Sequence, residues 1–283
     1  MNPAELLRNY SLEITARDED GLAALGGRLR PALPVSITFL PGDETDKLAA
    51  IASHVRDFGL MPVPHISARR IRSAEQLDSF LDALREAGAT DRVFVVAGDP
   101  QEPMGPYEDA LAVIRSGKLA AAGVRQIGIA GYPEGHAQIP AAKLRDAMTA
   151  KLTAIAASAQ AAEIVTQFSF DAEPVLHWLE ELRQDGIETP VRIGLAGPAS
   201  AKALLHFAAR CGVAASRKVL SKYGLSLTRL LGTATPDRLI DSLAASLTPA
   251  RHGEVHAHLY PFGGVAKTIK WAEDRVAATA FPS

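Results

Sequence analysis

The chain is poor in several features that would place it quickly. It has one cysteine, Cys211, in 283 residues, which excludes an internal disulfide and a CxxC metal site. Its formal net charge is −2, so neither nucleic acid nor an anionic membrane surface is an expected partner. No apolar run nears the roughly 18 residues that a membrane span needs. The opening residues, "MNPAELLRNYSLE", lack the basic-then-apolar pattern of a secretory leader, and a cytoplasmic protein is expected. No GxGxxG follows an early strand, as a doubly wound dinucleotide-binding sheet would require. No linker or shift of composition divides the chain, so a single domain over residues 1–283 is expected.

What is present is an ordinary globular balance, 47% apolar and 22% charged, with regular punctuation. Eight β-rich runs recur, at 11–15, 35–40, 61–66, 92–98, 126–131, 163–170, 191–197 and 255–262. Helical periodicity lies between them. Leu48, Ile51, Ala52 and Val55 follow the i, i+3, i+4, i+7 pattern before Gly59. Ser73 reads as an N-cap with Gln76 at the capping-box position, and Gly88 as the stop. Eight strand–helix units in this length predict an α/β fold of (βα)8 TIM-barrel type. The segment 198–235 is the hardest to divide, and Cys211 reads as apolar helix packing.

In such a barrel the chemistry sits at the C-terminal ends of the strands. The residues there are Glu13, Thr38, His65, Asp99, then Tyr132, Glu134 and His136, then Gln167, and finally His256, His258 and Tyr260. Singly, each is a loop residue or a cap. Together they place polar groups on one rim. The fifth group is the densest, since "GIAGYPEGH" breaks an apolar strand into a loop carrying Tyr132, Glu134 and His136.

That stretch resembles the signature loop of methylenetetrahydrofolate reductases, an apolar strand followed by Tyr-Pro-Glu, one residue and His. "SLEI" at 11–14, "VSITF" at 35–39, "PHIS" at 64–67, "AGDP" at 97–100 and "IVTQFSFD" at 164–171 are similar to that family's other strand ends, in the same order. "HLYPFGG" is a weaker match to the last strand. The resemblance implies a flavoprotein barrel that passes a hydride from NADH or NADPH through FAD, interconverting 5,10-methylenetetrahydrofolate and 5-methyltetrahydrofolate. It implies Glu13 as the general acid. Opening the methylene-bridged ring leaves a nitrogen that needs a proton, and a carboxyl partly withdrawn from water can supply it. It implies Asp99 and Gln167 as substrate-binding residues. Asp99 suits the parallel donors of a pterin edge, and the Gln167 amide both donates and accepts. Thr38, His65, Ala130, Gly131, Tyr132 and His136 are implied to hold FAD.

Departures from the family pattern are equally specific. "ITARDED" follows Glu13 where relatives carry Phe-Phe-Pro-Pro, and Ala97 replaces the arginine before Gly-Asp. The helix after His136 lacks the Arg-Lys pair that grips the FAD diphosphate, leaving Lys151 as substitute, with Arg145 and Lys143 behind it. Two alternatives follow: a flavin-free reductase, and a folate-binding barrel of methyltransferase type. A non-catalytic partner subunit is disfavoured by the joint presence of Glu13, Asp99 and Gln167. His252, His256 and His258 do not complete a ligand set, so no metal is expected. Folate is the expected partner, and a homo-oligomer is left open.

Overall fold

The computed structural model describes residues 1–25, 29–210 and 233–280. Eight parallel strands close into a barrel with helices alternating between them. The strands are β1 (Ser11–Ile14), β2 (Pro34–Ile37), β3 (Met61–Ser67), β4 (Arg92–Val96), β5 (Gln126–Gly131), β6 (Ala161–Ser169), β7 (Val191–Ala196) and β8 (Val255–Tyr260). Their order around the barrel is β1-β8-β7-β6-β5-β4-β3-β2. All eight expected strands are present. β2 ends at Ile37 and β4 at Val96, short of their expected ends at 40 and 98; two residues past β4, Gly98 stands at φ +95°. Cys211 and most of the ambiguous segment lie outside the described residues. Among the described residues no helix is long and apolar enough to cross a membrane.

The helices used below are α1 (Pro3–Arg8), α2 (Glu19–Ala23), α3 (Thr45–Asp57), α4 (Ala74–Glu86), α5 (Ala110–Arg115), α6 (Lys118–Ala121), α7 (Ala141–Ala157), α8 (Ala172–Gln184), α9 (Ala201–Arg210), α10 (Asp237–Ser246), α11 (Pro249–His252) and α12 (Val265–Ala280). The chain falls into two compact parts. One comprises Glu13–Ala130 with Ala142–Ile164; the other comprises Met1–Leu12, Gly131–Ala141 and Val165–Ser283.

In the first part, β2, β3, β4 and β5 pair in parallel, so their C-terminal ends lie side by side. α3 buries Leu48, Ile51, Ala52 and Val55, the stripe its periodicity marks. α4 starts where the Ser73 side chain accepts a hydrogen bond from the Gln76 backbone N–H at 3.2 Å. The Gln76 side chain reaches back one residue further than a capping box requires and accepts from the Arg72 N–H at 2.6 Å. Leu77, Phe80, Leu81 and Leu84 form its buried face, and Phe80 meets Phe39 edge-on at 6.4 Å.

In the second part, β8 pairs with β7 along its length and with β1 through Ser11 and Leu12. Asn2 and Glu5 form a full capping box on α1. Arg183 on α8 donates to the carbonyls of His252, Ile187 and Thr189, fixing the turn after α8 to the end of α11.

Phe80 is fully buried, so Phe80→Ala should cost about 3–5 kcal/mol, the range for deleting a buried phenyl ring. Chemical denaturation of both proteins reads this as a lower midpoint at unchanged slope.

Candidate active site

In the first part the partly buried carboxylate at the strand ends is Glu13. Its carboxylate sits in β1 with the side chain only 18% exposed. A partly buried carboxylate needs donors to replace lost water. Thr38, one residue past β2, donates its hydroxyl to Glu13 Oε1 at 2.9 Å. Thr38 is held there by its backbone N–H, which donates to Ile14 O at 2.9 Å. His65 Nε2 lies 3.9 Å from Glu13 Oε2.

His65 is itself positioned by a row of residues in register. His65 pairs with Phe94 across β3 and β4, and Phe94 pairs with Gly128 across β4 and β5. The Phe94 ring lies 4.7 Å from the imidazole. It has that space because residue 128 is glycine: a Cβ there would sit 2.6 Å from Phe94 Cδ2. The glycine opening the signature stretch thus acts through Phe94 on the histidine beside Glu13.

Asp99 lies in the loop after β4. Its Oδ1 accepts from Arg70 Nε at 3.0 Å and from Arg70 Nη2 at 2.5 Å. It caps no helix. Ala130 ends the run of β5 in this part and is half-buried. On α7, Lys143 and Arg145 are exposed, and Lys151 is half-buried. Burial pushes the Lys151 ammonium below its usual pKa, and Asp109 pulls it back.

The second part carries the rest of the signature loop. Gly131 ends β5, and the chain turns at Gly135, φ +78°, where the Gly135 N–H donates to Tyr132 O at 3.0 Å. The Tyr132 and His136 rings meet edge to face at 5.4 Å. Burial pushes the Tyr132 hydroxyl above its usual pKa. The Ser169 hydroxyl at the end of β6 donates to Glu134 Oε1. Burial pushes the Glu134 carboxyl upward, the Ser169 hydroxyl and the Phe170 N–H pull it down, and Asp171 raises it.

Gln167 is half-buried in β6. Gly194 of β7 lets that strand approach closely, since a Cβ would lie 2.6 Å from Gln167 O. The Tyr260 hydroxyl donates to the neighbouring Thr166 O at 3.0 Å. Beyond Gln167 an aromatic group assembles. Phe168 meets Phe262 at 4.9 Å, and Phe262 stacks on Phe207 of α9 at 4.1 Å.

The histidines near the last strand go to separate partners. His252 Nε2 approaches Glu180 at 3.4 Å, His256 Nε2 meets Glu254 at 2.9 Å, and His258 Nδ1 meets the Ser11 hydroxyl at 2.7 Å. Among the described residues no group of three metal-ligating side chains occurs. Sequence reasoning passed over Arg70, Phe94, Ser169 and the aromatic group. The adjacent arginines of "SARRIRS" directly after β3 were the one available signal for Arg70.

The eight strands form a closed parallel (βα)8 barrel, with a partly buried carboxylate held by a hydroxyl and lying near an imidazole at strand ends, where active sites lie in this fold. A methylenetetrahydrofolate reductase family model matches residues 9–226, and the chain belongs to that family. Two solved structures share the fold. An uncharacterized protein from Clostridium thermocellum, which binds two copies of 5-methyl-5,6,7,8-tetrahydrofolic acid, aligns at TM-score 0.61 and 11% identity, covering 96% of this chain and 96% of that one. Dihydropteroate synthase from Thermus thermophilus aligns at TM-score 0.51 and 16% identity, covering 97% of this chain and 94% of that one. At these identities the likeness is one of fold.

The Ser169–Glu134 bond has a testable sign. Because the folded carboxyl titrates above its unfolded value, its contribution to stability is complete below the unfolded pKa and fades as pH rises through the folded one. Ser169→Ala removes a group that pulls the pKa down, so the Glu134 titration should move to higher pH. Carboxyl-selective 13C NMR reads it directly; an unmoved titration contradicts the contact.

Proposed function

We propose that this chain is a single-domain, cytoplasmic reductase that interconverts 5,10-methylenetetrahydrofolate and 5-methyltetrahydrofolate, with FAD as cofactor and NADH or NADPH as co-substrate. The observation that carries the reading is the Glu13 carboxylate, withdrawn from water and held by Thr38 at Oε1. The transferable proton of the Glu13 carboxyl passes to the ring nitrogen that departs when the methylene bridge opens. His65, beside Oε2, steadies the carboxylate after the proton has left. Asp99 accepts from the donor edge of the pterin, and Gln167 both donates to it and accepts from it. The folate-binding of a fold neighbour supports a folate ligand here.

When bound, FAD supplies hydride transfer between the nicotinamide and the folate methylene carbon. The residues present fit it. A half-buried ammonium with no carboxylate at hydrogen-bond distance among the described residues calls for an anion, and Lys151 is such a group. Lys151 would take the diphosphate, while Thr38, His65, the backbone at Ala130 and Gly131, and the Tyr132 and His136 rings would take the rest of the cofactor. A flavin-free reductase is the second reading. It is favoured by the exposure of Lys143 and Arg145, which leaves Lys151 the one half-buried cation of α7.

The visible spectrum of the purified protein decides between these readings. Flavin bands that bleach with NADH or NADPH under anaerobic conditions, then return when 5,10-methylenetetrahydrofolate is added, are expected. A colourless protein that takes up no added FAD yet reduces the folate selects the second reading. A coloured or colourless protein that leaves the folate unreduced contradicts both.

A further inference from the structure

The two arginines after β3 act on the loop after β4 as a pair. Arg69 holds its backbone. The Arg69 N–H donates to Ala97 O at 2.9 Å, Nε to Glu108 O at 2.7 Å and Nη1 to Pro100 O at 3.1 Å. The Arg69 carbonyl accepts from the Met104 N–H at 2.8 Å. Two glycines make the fit tight. A Cβ at Gly105 would collide with the carbonyl oxygens of Ile71 and Arg72, and one at Gly98 would collide with Ser67 Oγ. The segment 97–108 is thus fastened along its length to the segment 67–72.

Arg70 holds the one side chain of that loop to which the proposed function gives a task. The Arg70 side chain is 12% exposed, whereas the Asp99 side chain is 59% exposed. Nε and Nη2 both donate to Oδ1. Oδ2 takes no hydrogen bond among the described residues, so one carboxylate oxygen is anchored and the other is presented. Ala97, two residues before Asp99, has no side chain that could do this, and the guanidinium comes from the neighbouring strand's end instead. A carboxylate on an exposed loop would otherwise lose rotamer freedom on meeting a ligand. Held by a largely buried arginine side chain it is set in advance, and its charge is balanced.

We infer that Arg70 is a positioning residue for substrate recognition: it fixes Asp99 so that Oδ2 is presented to an N–H donor of a pterin edge. This rests on the folate reading of the site. Arg70 itself touches no substrate. Its effect on binding runs through Asp99, and this separates it from an arginine that merely stabilises the loop.

A double-mutant cycle tests this, with 5-methyltetrahydrofolate binding to the full-length protein measured by anaerobic calorimetry. Asp99→Asn should weaken binding by about 10- to 100-fold, the range for a hydrogen bond to a charged group. Arg70→Met should weaken it by about 3- to 10-fold. The double variant should bind no more weakly than Asp99→Asn alone. Arg70→Lys, which keeps the charge and loses the fork, should fall between wild type and Arg70→Met. Circular dichroism and melting of each variant check folding. If Arg70→Met weakens binding by the same factor with and without the Asp99 carboxylate, or lowers only the melting temperature, the inference is overturned while the folate reading stands. If wild type does not bind 5-methyltetrahydrofolate, the folate reading fails and takes the inference with it.

Discussion

A carboxylate withdrawn from water is the constraint around which this site is arranged. Leaving such a group without partners costs several kcal/mol, so its surroundings are obligatory. Glu13 has the Thr38 hydroxyl on one oxygen and the His65 imidazole near the other. Thr38 is held by a main-chain bond to the residue after Glu13, and His65 by the ring of Phe94. Phe94 in turn needs the missing side chain at Gly128. Residues from neighbouring strands and their ends therefore combine in the placement of a single carboxyl group. The parallel register of β3, β4 and β5 brings His65, Phe94 and Gly128 level.

The departures from the family pattern are met locally. Ala97 cannot brace Asp99, and Arg70 does. Likewise the Ser169 hydroxyl fastens Glu134 of the signature loop to the end of β6. In both cases a side chain from an adjoining segment supplies the contact.

Much of the fold was legible because it depends on local signals. Apolar runs located all eight strands, and Ser73, Gln76 and Gly88 located the ends of α4 within a residue or two. The Gln76 side chain still chose Arg72 over Ser73, since which N–H a cap accepts from depends on the turn before the helix. The site was legible as a set of residues but not as a set of partners. Thr38 and His65 were read as cofactor residues, yet both also face Glu13, and Thr38 does so across 25 positions of sequence. Arg70 and Asp99 are likewise joined across 29 positions. Pairings of that kind follow from register and strand order, which no local pattern encodes.

The central claim is that Glu13 delivers the proton that opens the folate ring. It is tested most directly by Glu13→Gln, which keeps the shape and an acceptor while removing the acid. 5-Methyltetrahydrofolate formed from 5,10-methylenetetrahydrofolate would be quantified by chromatography, with reduction of the protein by NADH or NADPH followed separately. The account predicts folate turnover lower by about 10²- to 10⁴-fold, the usual worth of a positioned acid, with reduction by the nicotinamide nearly unchanged. Undiminished folate turnover in Glu13→Gln would contradict it.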